Sequence, residues 1–348
     1  MDGLKILIAD SSPVYKKMFR GAVTEIDNNA EVVCVDDGTE AETMIMRKLF
    51  NIIIVDAEIK GVELLDILKR IIKNAPKTFV LVTARPSSTS AKVFMEAMSK
   101  GASESMTKPI YDSYNENYEI IKQKMSDIMT VLKSEGKRKK SKTPTSPPKA
   151  KASSSTRPFR PQLILIAVST GGPRALETII PDLRADLQVP VLIVQHMPPH
   201  FIETLAQRLD SQSALNVKVA EDGEKAIGGT AYLAPGGVHM RLNADNVIFL
   251  DDSPPINGVR PAADALFESV ADDFAGSRIL AIVLTGMGQD SQRGLIKLKD
   301  KKRCFCIAQS EKTCVVFGMP RAVIEEGLAD IILDLDKIAM EIEGFNYI

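Results

Sequence analysis

Two doubly wound, parallel-sheet α/β domains joined by a basic, flexible tether are the fold this sequence predicts. Three observations carry the expectation. Apolar runs of strand length, rich in β-branched residues, alternate with segments of helical period in both halves of the chain. A lysine-, proline- and serine-rich stretch interrupts that alternation once, near the middle. The 348 residues suit two or three domains of ordinary size.

In the first half the strands are LKILIAD, EVVCV, NIIIVD, TFVLVTA and SESMTK, with helix-period segments at 13–23, 41–48, 64–74 and 90–100. Five such units predict one parallel sheet. From 133 to 160 there are ten Lys/Arg and one acid, Glu135, a net of +9, so the rest of the chain carries −10. That stretch lacks the apolar surface to offset ordering entropy and reads as a soluble tether. The expected division is a first domain at 1–126, a linker at 127–160 and a second domain at 161–348. In the second domain QLILIAV, VPVLIVQ, RILAIVL and RCFCIAQ are again continuous apolar strands. Residues 232–234 and 247–250 are expected to form an antiparallel hairpin.

Composition excludes several classes. Apolar residues at 45% and charged residues at 26% rule out a disordered or fibrous chain. A net charge of −1 offers no global field for nucleic acid or membrane, and no recognition helix adjoins the basic tether. The longest apolar runs, 163–168 and 279–284, fall far short of the ~18 residues a membrane span needs. The N-terminus, with Asp2 and Lys5, lacks a signal-peptide pattern. Four cysteines (Cys34, Cys304, Cys306, Cys314) are too few for a disulfide framework. A reduced, cytoplasmic protein is expected.

Function in open α/β sheets collects at the carboxyl ends of the strands. In the first domain those ends carry Asp10, Asp56, Thr83 and Lys108. Two carboxylates, a hydroxyl and an ammonium on one edge can hold Mg²⁺ and accept a phosphoryl group, with Asp56 as nucleophile. With Lys108-Pro109 at the fifth strand, residues 3–125 resemble the receiver domain of two-component response regulators. The resemblance implies a flavodoxin-like fold, Asp56 as phosphorylation site, Thr83 and Lys108 as switch residues, and Mg²⁺ on Asp10, Asp56 and the backbone carbonyl of Glu58. A histidine kinase would be the phosphodonor. The chain departs from that pattern at Ser11, where a second acid is usual, at Ser105, where an aromatic is usual, and in a shortened loop after Asp56.

In the second domain the strand at 163–168 runs into Ser169-Thr170-Gly171-Gly172-Pro173. By itself this turn reads either as an anion cradle or as a nucleophile turn. The chain has three histidines. His196 ends the strand at 189–195, on the same edge as Ser169. Its i, i+4 spacing to His200 does not make a zinc site, because Pro198 and Pro199 break the helix that would align them. His200 reads as an exposed loop or cap residue, and His239 either lines the site or closes a turn. Asp290, after the strand at 279–284, is either a helix N-cap or the third member of a Ser–His–Asp triad.

The runs S-T-G-G-P-R-A-L-E (169–177), Q-H-M-P-P-H-F (195–201), E-D-G-E (221–224), Y-L-A-P-G-G-V-H-M (232–240), L-T-G-M-G-Q-D (284–290) and V-F-G-M-P-R-A (316–322) closely resemble the chemoreceptor glutamate methylesterases, the CheB family. The resemblance implies a Rossmann-like three-layer domain with Ser169 as nucleophile, His196 as base and Asp290 as orienting acid. The backbone amides of Thr170 and Met287 would form the oxyanion hole. The implied reaction is hydrolysis of glutamyl methyl esters on the cytoplasmic helices of chemoreceptors, with glutamine deamidation in many members. No cofactor is expected for that step, and neither nucleic acid nor membrane insertion. In the family the unphosphorylated receiver covers the esterase site. Ser291 stands where Gly is usual, Pro261-Ala262-Ala263-Asp264 replaces P-S-V-D, and Asp300-Lys301-Lys302 replaces a typical A-G-G turn. The competing expectation is a non-enzymatic binding module with a silent triad.

Overall fold

The computed structural model describes residues 3–87, 89–141 and 160–345, which form two units. The first contains β1 (Lys5–Ala9), α1 (Pro13–Ile26), β2 (Glu31–Val35), α2 (Gly38–Arg47), β3 (Ile52–Asp56), α3 (Leu64–Asn74), β4 (Phe79–Ala84), α4 (Ser90–Ser99), β5 (Glu104–Thr107) and α5 (Tyr114–Ser141). Its strands pair in the order β2-β1-β3-β4-β5, every pair parallel. β3 and β4 are buried along their whole length, which explains why they read as unbroken apolar runs. The helices show the complementary pattern: in α3, Leu64, Ile67, Leu68 and Ile71 form one buried stripe. Asp37 caps α2, accepting the Thr39 and Glu40 N–H groups at 2.8 and 2.9 Å.

The expected boundary at residue 126 is corrected. Helix α5 continues to Ser141, and Ile128 and Met129 extend past that boundary the buried stripe begun by Ile121 and Met125. Residues 127–141 are therefore helical rather than part of a flexible linker. The remainder of the expected tether, 142–159, lies outside the described residues.

The second unit contains β6 (Leu163–Val168), α6 (Gly172–Ile179), β7 (Val191–Gln195), α7 (Pro199–Gln212), β8 (Asn216–Val219), β9 (Thr230–Leu233), β10 (His239–Leu242), β11 (Ile248–Asp251), α8 (Ala263–Asp272), β12 (Arg278–Val283), α9 (Gln292–Lys301), β13 (Arg303–Gln309), α10 (Met319–Glu325), β14 (Ile331–Leu333) and α11 (Leu335–Gly344). The main sheet has the order β14-β13-β12-β6-β7-β9-β8, again all parallel. Leu266, Phe267 and Val270 of α8 and Leu295 and Leu298 of α9 share one core with Leu163, Leu165, Ala281 and Val283 of the central strands.

The expected hairpin is wrong in one of its strands. Ile248–Asp251 does form an antiparallel pair, but its partner is His239–Leu242. Thr230–Leu233 joins the parallel sheet between β7 and β8. Two local features decide this. β9 is buried on both faces, as an interior parallel strand must be. The 243–247 turn is closed by the Asn243 carboxamide, which accepts the Asp245 and Val247 N–H groups at 3.0 Å each, with Asn246 at φ +62°.

Both sheets reverse their winding direction once. In the first the reversal falls between β1 and β3, and in the second between β6 and β12. Diverging loops leave a crevice at the carboxyl ends of such strand pairs.

Candidate active site

At the β1/β3 reversal the Lys108 ammonium lies 2.7 Å from Asp10 Oδ2 and 2.9 Å from Asp56 Oδ2, with all three side chains buried. Asp10 is fixed by the Ser12 N–H at 2.8 Å, and Asp56 accepts the Glu58 N–H at 3.3 Å. Burial pushes the Asp10 carboxyl above its usual range, against the pull of Lys108. The Thr83 hydroxyl is buried without a hydrogen-bond partner among the described residues. Tyr15, which sequence reasoning did not single out, places its ring 4.8 Å from Lys108 Nζ and donates to the Pro109 carbonyl at 2.8 Å. The Glu58 side chain pairs with Arg85. Asp10 and Asp56 with backbone and water oxygens are a donor set suited to Mg²⁺, a hard cation that needs only one or two carboxylates. The residues fit the ion, although Ser11 supplies no second acid. Among the described residues no cluster of three or more His, Cys, Asp or Glu adds another metal site.

At the β6/β12 reversal the chain after β6 makes a tight turn in which Gly172 N–H donates to the Ser169 carbonyl at 2.7 Å. Gly171 sits at φ +79°, and a Cβ there would come within 2.6 Å of Val315. The neighbouring loop after β12 presses against the same serine: a Cβ on Gly286 would lie 2.8 Å from Ser169 Cβ. Thr285 stitches the two loops together. Its hydroxyl donates to the Thr170 carbonyl at 2.9 Å and accepts the Val315 and Val316 N–H groups at 3.1 and 3.0 Å. The loop that carries Met287 therefore adjoins the Ser169–Thr170 turn.

His196 follows β7, and its N–H reaches the Val168 carbonyl at 3.3 Å. Gln195, buried beside it, donates to the carbonyls of Ser169 (3.1 Å) and His196 (3.3 Å), so one side chain ties the two chain segments together. The His196 ring places Nε2 2.8 Å from Asp290 Oδ2. This leaves Nδ1 as the nitrogen able to accept a proton. Among the described residues Ser169 Oγ makes no hydrogen bond to His196, a looseness common at sites without substrate.

Asp290 does cap a helix, but not the one expected from its position. Helix α9 begins with Ser291 as its N-cap. The Asp290 carboxylate instead accepts the first N–H groups of α8, Ala263 at 2.6 Å and Asp264 at 3.1 Å. Burial pushes its pKa up, but the His196 hydrogen bond and charge, with these two N–H groups, outweigh burial and hold it below the ordinary carboxylate value. A helix N-terminus thus secures the negative charge of the acid facing His196. His239 is a structural residue: wholly buried, it accepts the Ala262 N–H at Nδ1 (3.1 Å) and donates from Nε2 to the Pro254 carbonyl (3.2 Å). It thereby holds the segment that presents Ala263 to Asp290. His200 is exposed in the first turn of α7.

Ser291 is strained. It sits at φ +89° and its buried hydroxyl has no partner among the described residues. Ser291→Gly is expected to stabilise the protein by about 1 kcal/mol, relieving the left-handed backbone and an unpaired hydroxyl. That corresponds to a rise in melting temperature of about 2–4 °C. A lower melting temperature would show that the hydroxyl contributes to the turn.

The sequence pattern of the family described as CheB methylesterase matches residues 164–342, and that of the response regulator receiver domain matches residues 6–116. The chain belongs to the CheB methylesterase family. Curated relatives include the protein-glutamate methylesterase/protein-glutamine glutaminase of Geobacillus kaustophilus, 37% identical over 98% of each chain. The enzyme of the same name from Thermotoga maritima is 36% identical over 96% of each chain. The crystal structure of the Thermotoga maritima CheB methylesterase catalytic domain is 45% identical, covering 54% of this chain and 99% of that one, with a TM-score of 0.51. The chain is thus an enzyme, a CheB-family hydrolase carrying a receiver domain, and the binding-module expectation falls. Among the described residues no helix of this CheB-family chain is long and apolar enough to cross a membrane.

Sequence reasoning gave no role to Gln195 and Thr285, which tie the loops of the site together, or to Asn257 and Asp264, which donate hydrogen bonds to Asp290. Asn257-Gly258 signals a tight turn, yet nothing in the sequence tells what that amide touches.

Proposed function

We propose that the second domain hydrolyses glutamyl methyl esters on the cytoplasmic helices of chemoreceptors, using Ser169, His196 and Asp290, and that phosphorylation of Asp56 controls it. The observation that carries the reading is the His196–Asp290 hydrogen bond at the strand ends flanking the Ser169 turn. Ser169 Oγ attacks the ester carbonyl carbon while its proton passes to His196 Nδ1. The tetrahedral oxyanion accepts hydrogen bonds from the Thr170 and Met287 N–H groups, each worth about 3 kcal/mol of barrier. Collapse breaks the acyl C–O bond, and methanol leaves with the proton from His196. Water, deprotonated by the same nitrogen, then cleaves the acyl-enzyme to a free carboxylate and restores Ser169. A glutamine side chain would follow the same route with ammonia as leaving group. No cofactor enters either path.

In the receiver, Asp56 would take the phosphoryl group from a histidine kinase. Lys108 would turn from the carboxylates to a phosphoryl oxygen, and the unpartnered Thr83 hydroxyl would donate to another. Mg²⁺, held by Asp10, Asp56 and the Glu58 carbonyl, would offset the charge gathered there. The ion pairs of Lys108 with both acids favour a stable unphosphorylated state, and Ser11 leaves one charge fewer for the metal. Activation is therefore expected to be modest and strongly dependent on Mg²⁺. The test is methanol release from methylated receptor membranes by the full chain, with and without a small phosphodonor and Mg²⁺. Activation that disappears in Asp56→Ala supports the control. Equal rates in all conditions reject control and leave hydrolysis standing, and absence of methanol release rejects the reaction.

A further inference from the structure

We propose that Asp264 is a positioning residue for this site: with Asn257 it forms a clamp that holds the Asp290 carboxylate against His196. The proposal rests on the triad reading above. Asp264 is 2% exposed, and among the described residues no cation forms an ion pair with it. A buried carboxylate without a counter-ion is costly unless hydrogen bonds hold its charge. Its contacts indicate what it does. Oδ1 accepts the Gly294 N–H at 2.8 Å, inside the first turn of α9, while its backbone N–H donates to Asp290. The stretch 290–294 is thus gripped at both ends by one residue of α8. The grip is close: a Cβ on Gly294 would meet Phe267 Cβ at 2.5 Å and the Asp264 carbonyl at 3.2 Å.

Oδ2 of Asp264 accepts the Asn257 carboxamide at 2.8 Å, and the same nitrogen reaches Asp290 Oδ1 at 3.3 Å. One amide thereby bridges two carboxylates that would otherwise repel. Asn257 and Gly258 lie at φ +54° and +77°, between Ile256 and Val259, whose backbones exchange hydrogen bonds of 3.1 and 3.0 Å. Asp or Gly suits the first position of such a turn as well as Asn does. The turn alone does not require the amide; the two acids do.

The charged groups facing Asp264 are Asp290 in its loop and Arg293 on α9, which itself pairs with Glu268 on α8; His196 lies beyond, paired with Asp290. Burial pushes the Asp264 pKa up, and Asp290 adds to that, against Gly294, Asn257 and Arg293. An ionised Asp264 adds negative charge beside the pair that must stabilise an imidazolium. Removing that charge weakens the field that favours a cation at the site, and adding charge strengthens it.

The experiment compares pH profiles of methanol release from methylated receptor membranes for the full chain, Asp264→Asn, Asn257→Asp and Asn257→Gly. Asp264→Asn is expected to lower kcat about 10- to 100-fold, leave KM within about twofold, and move the acid limb down by roughly half a pH unit. Asn257→Asp, which keeps the turn, should move that limb up by a similar amount. Asn257→Gly should lower kcat while leaving the limb near its original place. Wild-type kinetics in the variants, or rate losses with the acid limb unmoved in both Asp264→Asn and Asn257→Asp, overturn the proposal. Should Asp264→Asn fail to fold, the two Asn257 variants decide it. Wild-type release by Ser169→Ala, run alongside, would instead overturn the triad reading.

Discussion

On the proposed mechanism, Ser169→Ala is expected to lower methanol release by about three to six orders of magnitude, because it removes the hydroxyl that would form the acyl-enzyme. The fold should survive. The lost atom is one hydroxyl at a partly exposed turn, and the contacts that shape the turn come from elsewhere: Gly172 N–H to the Ser169 carbonyl, Gln195 to the same oxygen, and Ser169 N–H to the Thr285 carbonyl. A melting temperature close to wild type is therefore the control, and substrate affinity should change little. Replacing His196 should reduce the rate about as much as replacing Ser169, and the double variant little further, since nucleophile and base act as a unit. Measured losses that multiply would show independent roles, and substantial hydrolysis by Ser169→Ala would remove the serine from the mechanism.

The second large effect is expected at Asp290. Asp290→Asn should slow the reaction by about 10³- to 10⁴-fold, the scale seen when a triad acid becomes an amide. The geometry explains why no orientation of the amide rescues it. Asp290 accepts N–H groups from Ala263, Asp264 and Asn257 in addition to facing His196 Nε2. With the amide oxygen toward His196 and Ala263, the NH₂ group meets the Asp264 N–H and the Asn257 amide, donor against donor. With the NH₂ group toward His196, Nε2 becomes an acceptor and the ring proton moves to Nδ1, so the base is in the wrong tautomer. Either way buried donors lose their acceptor, which should destabilise the protein by about 1–3 kcal/mol. Kinetics and thermal unfolding of the same variant check both statements. An unchanged rate would exclude Asp290 as the orienting acid.

Much of this was legible in the chain. β3 and β4 are buried on both faces, so their residues had to be apolar without interruption, and that pattern marked them as parallel strands. Helix α3 was legible from its single stripe, with the observed limits of Leu64–Asn74. The strand assignment failed at β9 because Tyr232 and its neighbours are compatible with either sheet; the pairing depends on long-range partners 191–193 and 217–219, which local pattern does not encode. The end of α5 was misplaced because Ile128 and Met129, which continue its buried stripe, and the polar, charge-rich last turns that run on to Ser141 carry no stop signal that marks the end.

The sequence by itself determined the chemistry on offer: two acids, a lysine and a threonine at the strand ends of one sheet, and a serine, a histidine and an aspartate at those of another. Side-chain type and proximity to a strand end are local properties, readable from a run of residues. Tertiary structure decided which groups meet and in what state. It chose α8 rather than α9 as the helix that Asp290 caps, assigned Nε2 of His196 to that acid, and made His239 a support for the chain that donates to it. It also set Asp264 and Asn257 beside the site, from a helix start and a turn that look ordinary in sequence. These contacts join residues tens of positions apart, and their strength comes from burial and hydrogen-bond direction, which exist only once the strands and helices have packed.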